Sequence, residues 1–133
     1  MQLGVCPHDD RAEPDITFAF GRDASAARAA RRALQPLFAA DDEFAEVVQL
    51  VASELVTNVV LHTEGGGRFA AWAADPVRLE VHDEDPMLPA VRPDPSVNGG
   101  RGLAIVSGIA DRWGAETCQD GKTLWAEIRR PNG

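Results

Sequence analysis

Glu54, Asn58 and His62 follow one another at four-residue intervals. If that segment is helical, 100° per residue puts them at about 0°, 40° and 80° around its axis. Val47, Val51 and Leu55 then fall at about 20°, 60° and 100°. The polar row therefore lies within the apolar stripe, while Glu46, Gln49, Ser53 and Thr57 mark a wet face elsewhere. A carboxylate on a core-facing stripe costs roughly several kcal/mol unless it is paired, ligated or open to a cavity. An arginine partner for Glu54 and a backbone partner for Asn58 would explain a single such residue. Three in register are explained more economically by a cavity with a ligand. An amide oxygen beside a carboxylate suits Mg²⁺, which takes hard oxygen ligands and keeps several waters.

Two further places carry chemistry. Val77, Leu79 and Val81 alternate with Arg78, Glu80 and His82, which reads as a strand. Extending the alternation sets Asp83 on the apolar face, at the rim of the core. On its own, an acid there is also what starts a turn. Gly99-Gly100-Arg101-Gly102-Leu103 then runs into a helical pattern. Glycines let backbone approach a ligand, the free N–H groups of a helix start attract anions, and Arg101 offers a fork for phosphate. There is no Walker A sequence and no strand-linked GxGxxG, so P-loop and Rossmann readings fail.

These residues need elements to hold them. Residues 1–14, broken by Pro7 and Pro14, read as a loose arm, and residues 15–130 as one domain. Ile16, Phe18 and Phe20 mark a strand. Ala26, Ala30, Ala33, Leu34 and Leu37 mark a helix that Pro36 should fray. Asp41 or Asp42 caps a longer helix carrying the Glu54 row, which Gly65-Gly66-Gly67 ends. Strands follow over 68–73 and 77–82, joined by the Asp75-Pro76 turn. Residues 84–100 hold four prolines and no periodicity, the mark of a functional or disordered loop. A third helix starts at Gly102 and carries Leu103, Val106, Ile109, Ala110 and Trp113 on one face. A last hairpin turns at Asp120-Gly121. The order β-α-α-β-β-loop-α-β-β implies an α+β fold, a two-layer sandwich of a mixed sheet covered on one face by helices.

The chain has 133 residues, a length at which one domain buries a sufficient core without staples. Its net charge of −8 argues against direct nucleic-acid binding and against an anionic membrane surface. No apolar run approaches the ~18 residues that span a bilayer, and the N-terminus lacks a signal peptide's pattern, so a cytoplasmic location is expected. Cys6 and Cys118 are far apart in sequence and suggest neither a zinc site nor a disulfide framework; they read as reduced thiols.

Taken together, the motifs resemble those of the histidine-kinase-like (GHKL) ATPases. Glu54-Leu55-Val56-Thr57-Asn58-Val59-Val60-Leu61-His62-Thr63 resembles their N box, and Asp83 stands where their adenine-binding aspartate lies. Gly100-Arg101-Gly102-Leu103 looks like their second glycine box, and Gly121-Lys122-Thr123-Leu124-Trp125 like their final Gly-Thr box. The closest branch is that of the anti-sigma regulatory factors, serine protein kinases of bacterial partner switching. Residues 102–114 look actinobacterial. The resemblance implies a Bergerat-type ATP-binding fold with ATP and Mg²⁺ as cofactors. It implies that Asn58 holds Mg²⁺, that Glu54 is the general base or orients the attacking hydroxyl, and that Asp83 accepts the adenine amino proton. Gly100, Arg101, Gly102 and Leu103 would close on the phosphates, and Thr123 would belong to the nucleotide site. His62 would either line that pocket or fill core space. The implied partners are a sigma factor and a STAS-type anti-anti-sigma protein, with a homodimer also allowed. The other reading is a non-catalytic, nucleotide-dependent binding module. Two positions depart from the pattern. Asp83-Glu84-Asp85-Pro86-Met87 lacks the glycines usual after the aspartate, and Lys122 stands where Thr commonly follows Gly. Alternation puts Lys122 on the face of Leu124, Ala126 and Ile128, and Thr123 on the other.

Overall fold

The computed structural model describes residues 1–6, 11–63, 65–85 and 102–131. Six strands form one sheet in the order β1-β5-β6-β4-β3-β2. They are β1 (Gln2–Val5), β2 (Ile16–Phe20), β3 (Gly67–Trp72), β4 (Val77–Asp83), β5 (Arg112–Cys118) and β6 (Gly121–Ile128). β1 runs parallel to β5 and every other pair is antiparallel, so the sheet is mixed. The helices are α1 (Ala26–Leu34), α2 (Glu43–His62) and α3 (Gly102–Ile109). α2 lies between α1 and α3 and rests on β3, β4 and β6. The architecture is the expected α+β sandwich.

α2 is the axis of the core. Val48, Val51, Leu55, Val56 and Val59 are fully buried against Phe69, Leu79, Val81 and Leu124 of the sheet. Asp42 caps it, its carboxylate accepting from Phe44 N at 3.0 Å. Arg130 pairs with that carboxylate at 2.9 Å and lies over the Phe44 ring, so the cap is also tied to the chain's C-terminal end. The Arg130 hydrogen bond, more than burial or the backbone bond, holds Asp42 below the usual carboxylate range. At 20 residues and a mean hydropathy of 1.5, α2 is long and apolar enough to cross a bilayer, contrary to the expectation from apolar runs alone. Half of its most apolar stretch is buried inside this domain, as befits a core helix.

Three expectations are corrected. The described parts of the N-terminal arm are not loose. β1 adds an edge strand beside β5, and residues 11–15 cross the helix-free face. There Arg11 pairs with Glu80 and sits over Trp72, whose indole donates to the Ala12 carbonyl at 2.6 Å. Pro7 and Pro14 suggested looseness because proline blocks regular structure; Pro14 stands outside the paired residues, and Pro7 lies outside the described ones. Second, α3 stops at Ile109, and Trp113 belongs to β5, paired with Ala126. The helical spacing to Trp113 was fortuitous: Asp111 N donates to Glu127 O at 3.0 Å and the ladder begins there. Third, Pro36 neither frays nor kinks α1 but sits in a 3-10 turn over Gln35–Leu37 that tightens its end.

The helix-free face of the sheet has its own cover. Arg78 lies 4.5 Å over the Trp125 ring and pairs with Glu80, Glu127 and Glu116 at 2.7, 3.0 and 3.2 Å. Burial opposes the Arg78 charge, but the Glu80 and Glu127 carboxylates outweigh it and raise its pKa.

Candidate functional site

The polar row on α2 lies at the edge of the buried arc rather than within it. Val47 and Leu50, its angular neighbours, are 36% and 40% exposed. Glu54 and Asn58 are half-buried and His62 is exposed, so His62 does not fill core space. The wet face also differs: Ser53 is buried, its hydroxyl donating to the Leu50 carbonyl at 2.9 Å. Helical angles fix which residues are neighbours, but only the packing of α1 and α3 decides where the buried arc is centred. The half-buried edge suits chemistry better than the core would. Glu54 has no hydrogen-bond or ionic partner among the described residues, and burial raises its carboxyl above the usual glutamate range. A partly desolvated carboxylate without a cation is a competent proton acceptor.

Asp83 is placed by β4. That strand alternates buried and half-buried residues along its length, and Asp83 is the last buried one, on the helix-facing side with Val77, Leu79 and Val81. Register sets it opposite Lys122 of β6. Both side chains are almost wholly buried, and Lys122 Nζ lies 2.9 Å from Asp83 Oδ1. The same ammonium donates to the Asp85 carbonyl at 2.8 Å, and Asp85 N donates to Asp83 Oδ1 at 2.8 Å. Among the described residues, every bond to the Asp83 carboxylate thus goes to one oxygen. Its Oδ2 is buried with no partner among the described residues. Such an orphaned acceptor is costly unless something else satisfies it, and an exocyclic amino group would. Gly121 lets the start of β6 lie close against the end of β4, since its φ is +147° and a Cβ there would run into the Asp83 backbone carbonyl oxygen. A cavity of about 280 Å³ borders this end of the sheet and is lined by Phe20, Gly66, Gly67, His82, Asp83 and Glu84. Another, of about 460 Å³, lies beside the start of α2 and touches none of the expected site residues.

The remaining expected residues divide. Leu103 is buried in the core at the first turn of α3, and Gly102 opens that helix. Gly100, Arg101 and most of the proline-rich loop, residues 86–100, lie outside the described residues. Thr123 does not join Asp83. It projects from the helix-free face, where its hydroxyl lies 3.0 Å from His82 Nδ1. The residue that does reach Asp83 is Lys122. Its signal was present: a lysine on a strand's core face needs an acid, and Asp83 was the acid on the corresponding face. The cysteines are also corrected. Cys6 and Cys118 are bridged, with Cα atoms 5.1 Å apart, because the parallel pairing of β1 with β5 brings residues from opposite ends of the chain together.

The helix side of the sheet therefore carries a hard-oxygen row on the half-buried edge of α2 and, at the end of β4, a buried carboxylate oxygen without a partner among the described residues. These features fit a purine nucleotide with a divalent cation. A model of the histidine kinase-like ATPase domain matches residues 20–128. An uncharacterized protein of Streptomyces coelicolor is 34% identical over 83 residues, covering 56% of this chain and 78% of that protein. The matched span runs from the end of β2 to the end of β6 and holds every described residue of the site. By that match and the fold that carries it, the chain belongs to the histidine kinase-like ATPase family.

Proposed function

We propose that this protein is an ATP-binding anti-sigma regulatory factor that phosphorylates Ser or Thr of a STAS-type anti-anti-sigma partner and sequesters a sigma factor. The observation that carries the reading is a half-buried Glu54 with Asn58 one turn on, and a helix-facing Asp83 whose Oδ2 is buried, neither Glu54 nor that oxygen having a partner among the described residues. ATP, with Mg²⁺, supplies the phosphoryl group. Asp83 Oδ2 accepts from the adenine amino group, and Lys122 holds the other oxygen so that the carboxylate cannot turn away. Asn58 offers an amide oxygen to Mg²⁺. Glu54 takes the proton of the attacking hydroxyl. The exposed His62 stands at the mouth of the row. We place the protein in the cytoplasm, where sigma factors act, and allow a homodimer.

A second reading, a non-catalytic nucleotide-dependent binding module, is favoured by one observation. The segment after Asp83 has no glycine, and Lys122 clamps its Asp85 carbonyl. Incubation with radiolabelled ATP and STAS proteins of the same genome separates the two. The kinase reading expects label on a STAS serine or threonine, lost with Glu54→Gln. The module reading expects no label, and nucleotide-dependent partner binding that Glu54→Gln leaves unchanged.

A further inference from the structure

The helix-free side of the sheet carries a cluster of ligating side chains that the nucleotide site does not use. Cys6 follows β1, Cys118 ends β5, His82 precedes the last residue of β4, and Asp120 lies in the turn between β5 and β6. Ligand atoms of His82, Cys118 and Asp120 all fall within 4.8 Å of one another. His82 Nε2 is 3.3 Å from Asp120 Oδ1. Cys6 brings a second sulfur into contact with Cys118, and the two sulfurs lie 3.8 and 3.5 Å from Thr123 Oγ1. Cys6 is not one of that 4.8 Å group, so once the bridge opens its sulfur has to swing inward to reach the roughly 3.3–3.8 Å ligand separations of tetrahedral zinc.

A second feature points the same way. His82 Nδ1 lies 3.0 Å from the Thr123 hydroxyl, which leaves Nε2 turned toward Asp120. Zinc-binding histidines are commonly held in this manner, with one ring nitrogen bonded to an oxygen and the other on the metal. Two thiolates, an imidazole and a carboxylate form a borderline-soft donor set, which selects zinc over magnesium. The site is thus chemically distinct from the oxygen row on α2 and lies on the other face of the sheet.

We propose that the Cys6–Cys118 pair, when reduced, binds one Zn²⁺ together with His82 and Asp120, pinning β1 and the β5–β6 turn to β4. The disulfide and the metal site are alternative states of the same two sulfurs. A dithiol reductant delivers two electrons and two protons to the bridge and is itself oxidised to a disulfide. Zn²⁺ then displaces both thiol protons to solvent.

The test uses the full chain, reduced and held without oxygen, with Co²⁺ alone as the spectroscopic probe and Zn²⁺ as competitor. One Co²⁺ per chain is expected, with thiolate-to-cobalt charge-transfer bands and tetrahedral ligand-field bands that equimolar Zn²⁺ abolishes. His82→Ala, Cys6→Ser and Cys118→Ser should each weaken Zn²⁺ binding by more than about 100-fold, beyond the effect of an outer-shell change. Thr123→Val should weaken it by about 10–100-fold, and Thr123→Ser should restore it. Protein oxidised to the disulfide should show no thiolate bands. Circular dichroism identifies any variant that fails to fold, and the wild-type result decides in that event. Reduced wild type without stoichiometric thiolate bands, or affinity unchanged by Cys6→Ser or His82→Ala in folded protein, overturns the proposal.

Discussion

At Glu54, desolvation has consequences for both activity and stability. Burial raises its pKa in the folded state above that of the unfolded chain. The folded state therefore binds the proton more tightly, and stability declines as pH rises from the unfolded glutamate value through the raised folded one. Above that window the ionised carboxylate is a standing penalty. Glu54→Gln should raise Tm near neutral pH, and the gain should vanish below the unfolded value; thermal melts across pH read this directly. On the kinase reading the same substitution lowers phosphoryl transfer by about 10²–10⁴-fold with Mg·ATP binding retained, and wild-type transfer rises with pH as Glu54 loses its proton. Equal transfer rates for the two proteins would remove Glu54 as the base. The Asp83–Lys122 pair behaves differently. Lys122→Met leaves a carboxylate buried without its cation, at a cost of about 3–5 kcal/mol. Denaturant melts should show that loss, and Asp83→Ala added to Lys122→Met should recover part of it while ATP affinity, read by calorimetry, stays low. A double variant that binds ATP as wild type does would move the purine contact elsewhere.

The elements around the site are held by close backbone approaches as much as by apolar burial. α2 ends at Thr63, whose N–H and hydroxyl both donate to the Val59 carbonyl, at 3.0 and 2.8 Å. The chain then turns through Gly66, with φ +72°, directly into β3. A Cβ at Gly66 would collide with the Phe20 carbonyl of β2. Gly66 and Gly67 thus do more than stop a helix: they let β3 enter the sheet tight against β2 and β4. Gly66→Ala carries a left-handed penalty of about 1–2 kcal/mol and adds that collision, so it should destabilise by more than 1 kcal/mol. Chemical denaturation measures it, and an unchanged midpoint would contradict the turn described. Loss of β3 register would also disturb the alternation that delivers Asp83, so this variant should bind ATP less well without touching it.

For the molecule as a whole, the sheet has two differently defended faces and two edge strands, β1 and β2. Helices cover one face, and the Arg78–Trp125 layer with residues 11–15 covers much of the other. β1 closes the β5 edge, although Leu3 and Val5 remain exposed. Removing residues 1–6 would uncover the β5 ladder and break the Cys6–Cys118 link. An uncovered edge pairs with other chains, so the shortened protein should melt lower and form concentration-dependent oligomers, which light scattering follows. A shortened protein that stays monomeric and melts as wild type does would show that β1 is dispensable.

By itself, the sequence determined what depends on near neighbours along the chain. Periods of two and 3.6 residues, the Asp42 cap and the glycine breaks yield the order of elements and the helix-covered sheet. They also place Glu54 with Asn58 on one helix face and Asp83 on a strand's core face. Only the tertiary structure decided what depends on pairs distant in sequence. Register joined Asp83 to Lys122, and set Thr123, which alternation had already put on the other face, beside His82. Parallel pairing of β1 with β5 brought Cys6 to Cys118, turned a supposed loose arm into a strand and created the sulfur cluster. The packing of α1 and α3 moved the polar row from the stripe to its half-buried edge, exposing Val47 and burying Ser53. The reason is physical. Propensity and periodicity are local and repeat along a segment, whereas register and helix rotation are settled by the free energy of the assembled core, which no segment contains alone.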